Sequence, residues 1–464
     1  MKKIESFLNN YSGYKTHFGG LDRIQYQNLS IDTRTIKQGE LYIALQGENF
    51  DGHDFITQAN KKNAGGMVVE ENWYTQQTDI QDTSTVYIIV TNTLDFLQNL
   101  SSWHRHKFQI PVIGITGSNG KTTIKKMIVE ILLKKFQVVN TEGNQNNHIG
   151  VPLTLLKLRS DHEIAVIEMG SNHPGEIEFL ANLVNPTEAL ITNIGKGHIG
   201  YFGDLEAIYK EKIALFDQLS KDSTIFKNME DPYLRRYNRF DLKSIEVGTS
   251  KNYDVWGEIE SVNRYGCIRF TLNDITSIQL QLPGVHQFIN SLIAAAVAIQ
   301  SGISVEKIKE ALKFFLPANQ RMEISENNEI LYINDAYNAN PDSTRAAIDY
   351  VATLNIEKGK RIIVLGDMLE LGEFEEKEHE LIGHYFQNKP IDYLFLYGNL
   401  TQHIKETLFK DNSFSGQVFW YKTHEEITQH LNEILHPGDV LLIKGSRGMK
   451  MELVLQDLKK FGKK

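Results

Sequence analysis

A glycine-rich segment in the first third of the chain combines the residue types that bind nucleotide phosphates. It reads GSNGKT, residues 117–122, and it lies between the apolar run VIGIT and a segment with apolar residues at helical spacing. Backbone amides at such a helix start attract phosphate, Lys121 can reach the terminal phosphates, and the Thr122 hydroxyl can bind magnesium. The segment therefore predicts a site for ATP and Mg²⁺.

The spacing of this loop departs from the general phosphate-loop pattern. The pattern G-x-x-x-x-G-K-[ST] requires glycine at position 115, but Ile115 occupies it and the nearest glycines are Gly114 and Gly117. An ordinary glycine turn followed by a chance Gly-Lys-Thr is the alternative interpretation. The order of strand, glycine turn and amphipathic helix favours the nucleotide site.

Three α/β segments position these residues. The runs LYIAL, GMVVE and VYIIV indicate a small N-terminal unit, and VIGIT, IAVIEMG and ALITNIG indicate buried strands of a mostly parallel central sheet. Beyond Leu331, the runs LYIND, RIIVLGD, YLFLYG, QVFWY and DVLLIKG alternate with helical stretches, which indicates a second doubly wound unit without G-x-G-x-x-G. We predict an α/β protein with domains at residues 1–100, 101–317 and 318–464.

Composition limits the partners. The 464 residues carry a net charge of -9, which disfavours nucleic acid and anionic membranes as ligands. The single Cys267 excludes an internal disulfide and a cysteine zinc site, which fits a reducing compartment. The N-terminal residues lack the apolar core of a signal peptide, and the longest apolar stretch, Leu292 to Ile299, is too short to span a membrane. We expect a cytoplasmic monomer with small ligands and no membrane insertion.

Two segments carry a family resemblance that extends over almost the whole chain. Thr116 to Thr122 resembles the T-G-x-N-G-K-T loop of the Mur ligases, and residues 168–177 resemble their E-x-G-x-N-x-x-G-E-I. These enzymes use ATP to extend the muramoyl peptide. The resemblance implies an N-terminal domain for the UDP-muramoyl peptide, a central P-loop ATPase-like domain and a Rossmann-like C-terminal domain for the incoming group.

The resemblance also implies roles at the ATP site. Asn290, in PGVHQFIN, matches an adenine contact with His286 in support, Arg321 matches a γ-phosphate contact, and Asp335 a nucleotide contact from the C-terminal domain. The implied ATP-binding residues are Thr116, Gly117, Ser118, Asn119, Gly120, Lys121, Thr122, Thr123, Asn290, Arg321 and Asp335. The implied catalytic residues are Lys121, His198, Lys212, Arg321 and Asp335.

Four residues match the family's magnesium sites: Thr122, Glu168, His198 and Lys212, the last as a carbamate. Three of them have a plainer interpretation. Glu168 at a strand end is often solvated or a helix cap, and a lone loop histidine often has no role. Lys210 competes with Lys212 for the modification, and either lysine suits a solvated helix face.

Four patterns distinguish between family members. DTRTIKQGELYIALQGENFDGHDF resembles the ligases that add the third residue or D-alanyl-D-alanine, and places Asp32, Thr33 and Arg34 near the uridine nucleotide. GNQNNHIGVP resembles the dipeptide-adding member alone, with Asn144, Asn146 and Asn147 as muramoyl-peptide contacts, although an asparagine run also suits a polar turn. YNANPDS and LGDMLELGE resemble the same member, with Tyr337, Asn338 and Asn340 as substrate contacts.

The implied reaction is ATP-dependent ligation of D-alanyl-D-alanine to UDP-N-acetylmuramoyl-tripeptide through an acyl phosphate. Lys444, Ser446 and Arg447 are candidate contacts to the dipeptide, or alternatively caps of the following helix. A folylpolyglutamate synthase and a non-catalytic nucleotide-sensing protein are the rival interpretations. No pattern decides whether the third stem residue is lysine or diaminopimelate.

Overall fold

The computed structural model describes residues 3–17, 21, 24, 29–77, 85–316, 320–411 and 414–461. The chain divides into two compact units. The first comprises Met1–Pro111, Val139–Ile167 and Asn182–Asn185, and the second comprises Val112–Val138, Glu168–Ala181 and Pro186–Lys464. The predicted boundary between the central and C-terminal domains, at 317 and 318, lies outside the described residues, so the three domain ranges stay predictions.

The helices and strands, in chain order, have the following bounds. The strands are β1 Tyr14–His17, β2 Leu29–Ser30, β3 Leu41–Ile43, β4 Gly66–Glu70, β5 Val86–Val90, β6 Val112–Thr116, β7 Val138–Asn140, β8 Ile164–Glu168, β9 Glu188–Ile191, β10 Thr224–Asn228, β11 Lys243–Gly248, β12 Val255–Val262, β13 Cys267–Leu272, β14 Thr276–Pro283, β15 Glu323–Asn327, β16 Ile330–Asp335, β17 Arg361–Gly366, β18 Tyr393–Tyr397, β19 Gln417–Tyr421 and β20 Val440–Lys444. The helices are α1 Glu5–Leu8, α2 Ile56–Lys61, α3 Glu71–Thr75, α4 Thr93–Arg105, α5 Lys121–Leu132, α6 Gly150–Leu156, α7 Glu176–Val184, α8 Ile199–Phe202, α9 Leu205–Asp217, α10 Pro232–Arg235, α11 Val285–Gln300, α12 Val305–Phe314, α13 Pro341–Thr353, α14 Glu375–Tyr385, α15 Thr401–Asp411, α16 His424–Ile434 and α17 Glu452–Phe461.

The first unit is built on a five-stranded sheet in the order β1-β5-β4-β3-β2, with β1 antiparallel to β5 and the other pairs parallel. Both faces are buried, because Leu41 and Ile43 of β3 enter one apolar cluster while Tyr42 between them enters another. Such continuous apolar strands are typical of parallel sheets covered on both sides. The predicted N-terminal runs are confirmed as β3, β4 and β5.

Two sheets form the second unit. In one, strands follow in the order β14-β13-β12-β11-β10-β9-β6; those from β6 to β12 are parallel, and β13 and β14 are antiparallel additions. The other has the order β15-β16-β20-β17-β18-β19, parallel except for β15. The five C-terminal runs are confirmed as β16 to β20. The carboxyl ends of these parallel strands carry most of the predicted site residues, as expected for open α/β sheets.

The apolar stretch Leu292 to Ile299 lies in α11. Within this stretch, every residue except Ile299 is buried. Of the helices described, none is long and apolar enough to cross a membrane.

Candidate active site around the phosphate loop

The glycine-rich segment forms a tight turn between β6, which ends at Thr116, and α5, which begins at Lys121. Gly117 and Gly120 have φ angles of +142° and +82°, in the region that favours glycine. A Cβ on Gly117 would lie 2.0 Å from Thr192 Oγ1. Glycine at 117 is therefore required both by conformation and by the close approach of the neighbouring strand end.

The loop is held by the residues that follow β9. The backbone amides of Ser118 and Asn119 donate to the Asn193 carbonyl at 2.9 Å and to Asn193 Oδ1 at 3.0 Å. Thr192 Oγ1 donates to the Asn119 carbonyl at 2.5 Å, and Ser118 Oγ donates to the Gly195 carbonyl at 2.9 Å. The residues after the neighbouring parallel strand β9 thus fix the turn through several hydrogen bonds, which preorganises it for phosphate.

Lys121 lies over its own loop. Its Nζ donates to the Gly117 carbonyl at 2.6 Å. Burial lowers its pKa, the charge of Arg321 lowers it further, and the charge of Glu168 raises it. Since phosphate oxygens favour the charged amine, a nucleotide in the loop would raise this pKa again.

Thr122 and Glu168 present oxygen atoms side by side at the ends of α5 and β8. The Thr122 hydroxyl donates to Glu168 Oε1 at 3.2 Å. A hydroxyl and a carboxylate beside a phosphate loop are the hard oxygen ligands that Mg²⁺ prefers. The residues present therefore fit the predicted cation.

Lys125 is a residue of this site that the sequence interpretation missed. Its Nζ lies 2.9 Å from Glu168 Oε2, and each side chain is only 2% exposed. A buried carboxylate needs such a counter-charge. The sequence does contain a feature that could have indicated Lys125. This residue lies one helical turn after Lys121 and three residues before Ile128, on the helix face that the apolar spacing predicts to be buried.

Lys212 is buried in α9, whereas Lys210 is exposed. Lys212 Nζ donates to Ser171 Oγ at 2.5 Å. Burial, together with the charge of Lys121, lowers the pKa of Lys212 to about 7. Carbamate formation needs a neutral amine, so this environment favours Lys212 over Lys210 for the predicted modification.

His198 precedes α8 in a left-handed conformation, with φ +60°. Its Nδ1 lies 2.7 Å from Glu370 Oε2, and this pairing with His198 lowers the pKa of Glu370. No three His, Cys, Asp or Glu side chains in the described ranges are grouped to hold a metal. The predicted ligand set does not need such a group, because two of its four members are a threonine and a modified lysine.

The predicted nucleotide residues from later elements lie near the loop. A Cβ on Gly120 would lie 3.3 Å from Asn290 Oδ1, which puts the α11 side chain beside the turn. The Arg321 guanidinium stacks 3.8 Å from the centre of the Tyr337 ring. Thr123, in the first turn of α5, is buried.

Asp335, at the end of β16, is paired with Lys444 at the end of β20. Lys444 Nζ lies 2.6 Å from Asp335 Oδ2 and also donates to the Asn338 carbonyl at 3.0 Å. The pKa of His286 is lowered, first by desolvation of the ring and then by the charge of Lys444, while the charge of Asp335 acts in the opposite direction. The structure thus brings the supporting histidine into the electrostatic range of the Asp335 carboxylate.

Asn340 connects the phosphate loop to the start of α13. Its Nδ2 donates to Asn119 Oδ1 at 2.8 Å, while its Oδ1 accepts from the Ser343 amide at 2.9 Å and caps the helix.

Ser446 is buried, accepting from the Leu369 amide at 2.8 Å, and Arg447 reaches Gln320 Oε1 at 2.8 Å. Contacts of Ser446 and Arg447 with the dipeptide stay predictions.

The remaining predicted substrate residues lie in the first unit. Asp32 and Arg34 form an ion pair at 2.7 Å, and Thr33 is buried with its hydroxyl donating to Gln58 Oε1 at 3.2 Å. In the asparagine run, Asn147 Oδ1 accepts from the Gly150 amide at 2.9 Å at the start of α6, which is the polar-turn role. Asn144 is exposed and Asn146 is half-buried. Their contacts with the acceptor stay predictions.

Comparison with known proteins identifies the family along the whole chain. Residues 25–105 match the model of the Mur ligase family catalytic domain, residues 115–298 the Mur ligase middle domain, and residues 320–447 the Mur ligase glutamate ligase domain. The UDP-N-acetylmuramoyl-tripeptide--D-alanyl-D-alanine ligase of Bacillus subtilis is 36% identical over 95% of this chain and 96% of its own length. The ligase of the same name from Escherichia coli is 32% identical over 94% of each chain.

Solved structures agree with these matches. A crystal structure of MurF from Acinetobacter baumannii superposes with a TM-score of 0.87 at 29% identity, covering 99% of both chains. MurF ligase from Thermotoga maritima in complex with ADP gives a TM-score of 0.81 at 26% identity, covering 94% of this chain and 97% of that one. The predicted three-domain α/β architecture is thereby confirmed, and the chain belongs to the Mur ligase family.

Proposed function

We propose that this chain joins D-alanyl-D-alanine to UDP-N-acetylmuramoyl-tripeptide and converts ATP to ADP and phosphate, as a step of peptidoglycan precursor synthesis. The observation that carries the proposal is the full-length similarity to ligases of that name, at 36% identity for the Bacillus subtilis protein. The dipeptide-adding patterns GNQNNHIGVP and LGDMLELGE support it. The proposed location is the cytoplasm, where ATP and a UDP-linked acceptor are both available.

The proposed mechanism passes through an acyl phosphate, because a carboxylate at neutral pH is a poor acylating agent. A stem carboxylate oxygen attacks the γ-phosphorus of ATP, and the bond to the bridging oxygen breaks to release ADP. The amine of the dipeptide then attacks the acyl carbon and loses a proton. Phosphate leaves with the original carboxylate oxygen, and an amide bond remains.

The chain's residues mainly bind and neutralise charge in this mechanism. The amides of residues 117–120 bind the phosphates, and Lys121 and Arg321 neutralise the transferred phosphoryl group. Thr122, Glu168, His198 and a carbamate on Lys212 would hold magnesium, which supplies electrostatic stabilisation of that group. The carbamate forms when the neutral Lys212 amine adds to carbon dioxide and loses a proton.

An ADP-release assay with paired acceptors tests the proposal. UDP-N-acetylmuramoyl-tripeptides with lysine or diaminopimelate at the third position are each supplied with D-alanyl-D-alanine, other dipeptides or no amine. We expect ADP release only when a tripeptide acceptor and D-alanyl-D-alanine are both present. Release with a folate acceptor would favour the folylpolyglutamate synthase, and ATP binding without turnover would favour a sensing protein. Absence of ¹⁸O transfer from the labelled stem carboxylate to phosphate would exclude the acyl phosphate.

A further inference from the structure

The segment that carries His198 is held by residues more than 140 positions further along the chain. We call residues 195–200, GKGHIG, the His198 segment. Besides the bonds between Gly195 and Ser118, its contacts come from the start of α13, the loop after β17 and α14. The contacting residues are Asn340, Asp342, Glu370, Gly372 and Glu378.

Charged contacts fix the first half of the His198 segment. The Lys196 amide donates to Asp342 Oδ2 at 2.7 Å, and Lys196 Nζ lies 2.5 Å from Glu378 Oε1. The Glu378 side chain is 5% exposed, and Arg345 supplies a second cation at 3.8 Å. A buried carboxylate shared by two cations sets a definite position for the backbone beside His198.

Close backbone contacts fix the second half. The Gly200 amide donates to the Glu370 carbonyl at 3.2 Å. A Cβ on Gly200 would lie 2.5 Å from the Gly372 amide nitrogen. This close approach brings the Glu370 side chain to the imidazole of His198.

His198 and Glu370 both adopt left-handed backbone conformations, with φ angles of +60° and +67°. Non-glycine residues adopt this region rarely and at a cost, and such residues concentrate at functional sites. With Glu370 Oε2 2.7 Å from His198 Nδ1, the opposite ring nitrogen is the one available to a cation. Metal-binding histidines commonly have a carboxylate at the second ring nitrogen, which orients the ring and raises its basicity.

We propose that Glu370 is a positioning residue for His198, one of the predicted magnesium ligands: it orients His198 toward the cation from the C-terminal part of the chain. The inference rests on the proposed function only through the role of His198 as a ligand. Lys196 and Glu378 support it by fixing the segment on which His198 lies. The metal site is therefore completed by residues outside the central domain.

A double-mutant cycle on metal affinity tests this proposal. Mn²⁺ binding is titrated by electron paramagnetic resonance with ADP present, in the wild type, Glu370→Ala, His198→Ala and the double variant. Glu370→Gln keeps the side-chain size in case the alanine variant does not fold. The matched control is Glu373→Gln, an exposed carboxylate three residues further on.

We expect Glu370→Ala to weaken Mn²⁺ binding about tenfold. In the His198→Ala background, Glu370→Ala should have no further effect on Mn²⁺ affinity, because Glu370 acts only through His198. Wild-type affinity in both Glu370 variants, or an equal loss in both backgrounds, overturns the proposal, as does an unchanged affinity in His198→Ala. The titration uses no acceptor, so failure of D-alanyl-D-alanine ligation in the wild type is a separate result.

Discussion

The two sides of the candidate site are built differently. On one side, the loop at 117–122, Glu168 and Lys125 lie on neighbouring strands and one helix, and their contacts are nearly all within the central domain. On the other side, His198 lies against Glu370, and Lys196 of the same segment pairs with Glu378; both glutamates come from the C-terminal part. We expect the first side to bind nucleotide largely by itself, whereas the second makes the chemistry depend on a second domain.

The largest effect is expected at the first side. Replacing Lys121 by methionine removes the cation that faces the phosphates, and kcat for ADP release should fall about 10³-fold. Lys126→Met is the matched control, because Lys126 is exposed on the same helix. Near-normal turnover in Lys121→Met would show that the loop does not act as its chemistry indicates.

Lys125→Met should reduce the free energy of unfolding by about 3 kcal/mol, because it leaves the buried Glu168 carboxylate without its counter-charge. Urea unfolding with Lys126→Met as control measures this. Adding Glu168→Gln should recover most of the loss, since the unpaired charge is then gone. Equal stabilities of Lys125→Met and wild type would mean that another group neutralises the charge of the Glu168 carboxylate.

From the sequence, the loop and Glu168 of the first side were predicted but Lys125 was not, and His198 of the second side was predicted without its partners. VIGIT, IAVIEMG and ALITNIG are confirmed as containing β6, β8 and β9, because buried parallel strands give continuous apolar runs. Strand β12 and the antiparallel strands β13 and β14 that follow it were not predicted, since VWGEIESV of β12 is buried only at its first three residues. Glu370 and Glu378 were not singled out because a glutamate in a loop or helix usually indicates a solvated surface, and their partners are distant in the sequence.

Lys212 lies where the two sides meet, and its pKa gives a pH test. Burial lowers this pKa to about 7 from 10.5, so between these values the folded chain holds a neutral amine while the unfolded chain remains protonated. The unfolded state then binds more protons, and the free energy of unfolding should rise with pH by about 1 kcal/mol per unit relative to Lys212→Met. Urea unfolding in buffers free of carbon dioxide measures this difference between pH 7.5 and 9.

The exposed Lys210 provides the control for this experiment. Lys210→Met should keep the wild-type pH dependence, because its amine is solvated in both states. A wild-type curve parallel to that of Lys212→Met would show that burial does not hold the Lys212 amine neutral.

The smallest predicted effect, that of Glu378→Gln, should separate nucleotide binding from turnover. Glu378→Gln removes the charge that holds the Lys196 side chain, so the His198 segment loses one of its fixing contacts while the phosphate loop keeps its own contacts. We expect unchanged ADP affinity by calorimetry in the absence of divalent cation, but a kcat about tenfold lower, equivalent to about 1.4 kcal/mol. Glu376→Gln, an exposed change on the same helix, should alter neither. If ADP affinity falls together with kcat, the two sides are one cooperative unit, and nucleotide binding itself depends on the contacts from the C-terminal part.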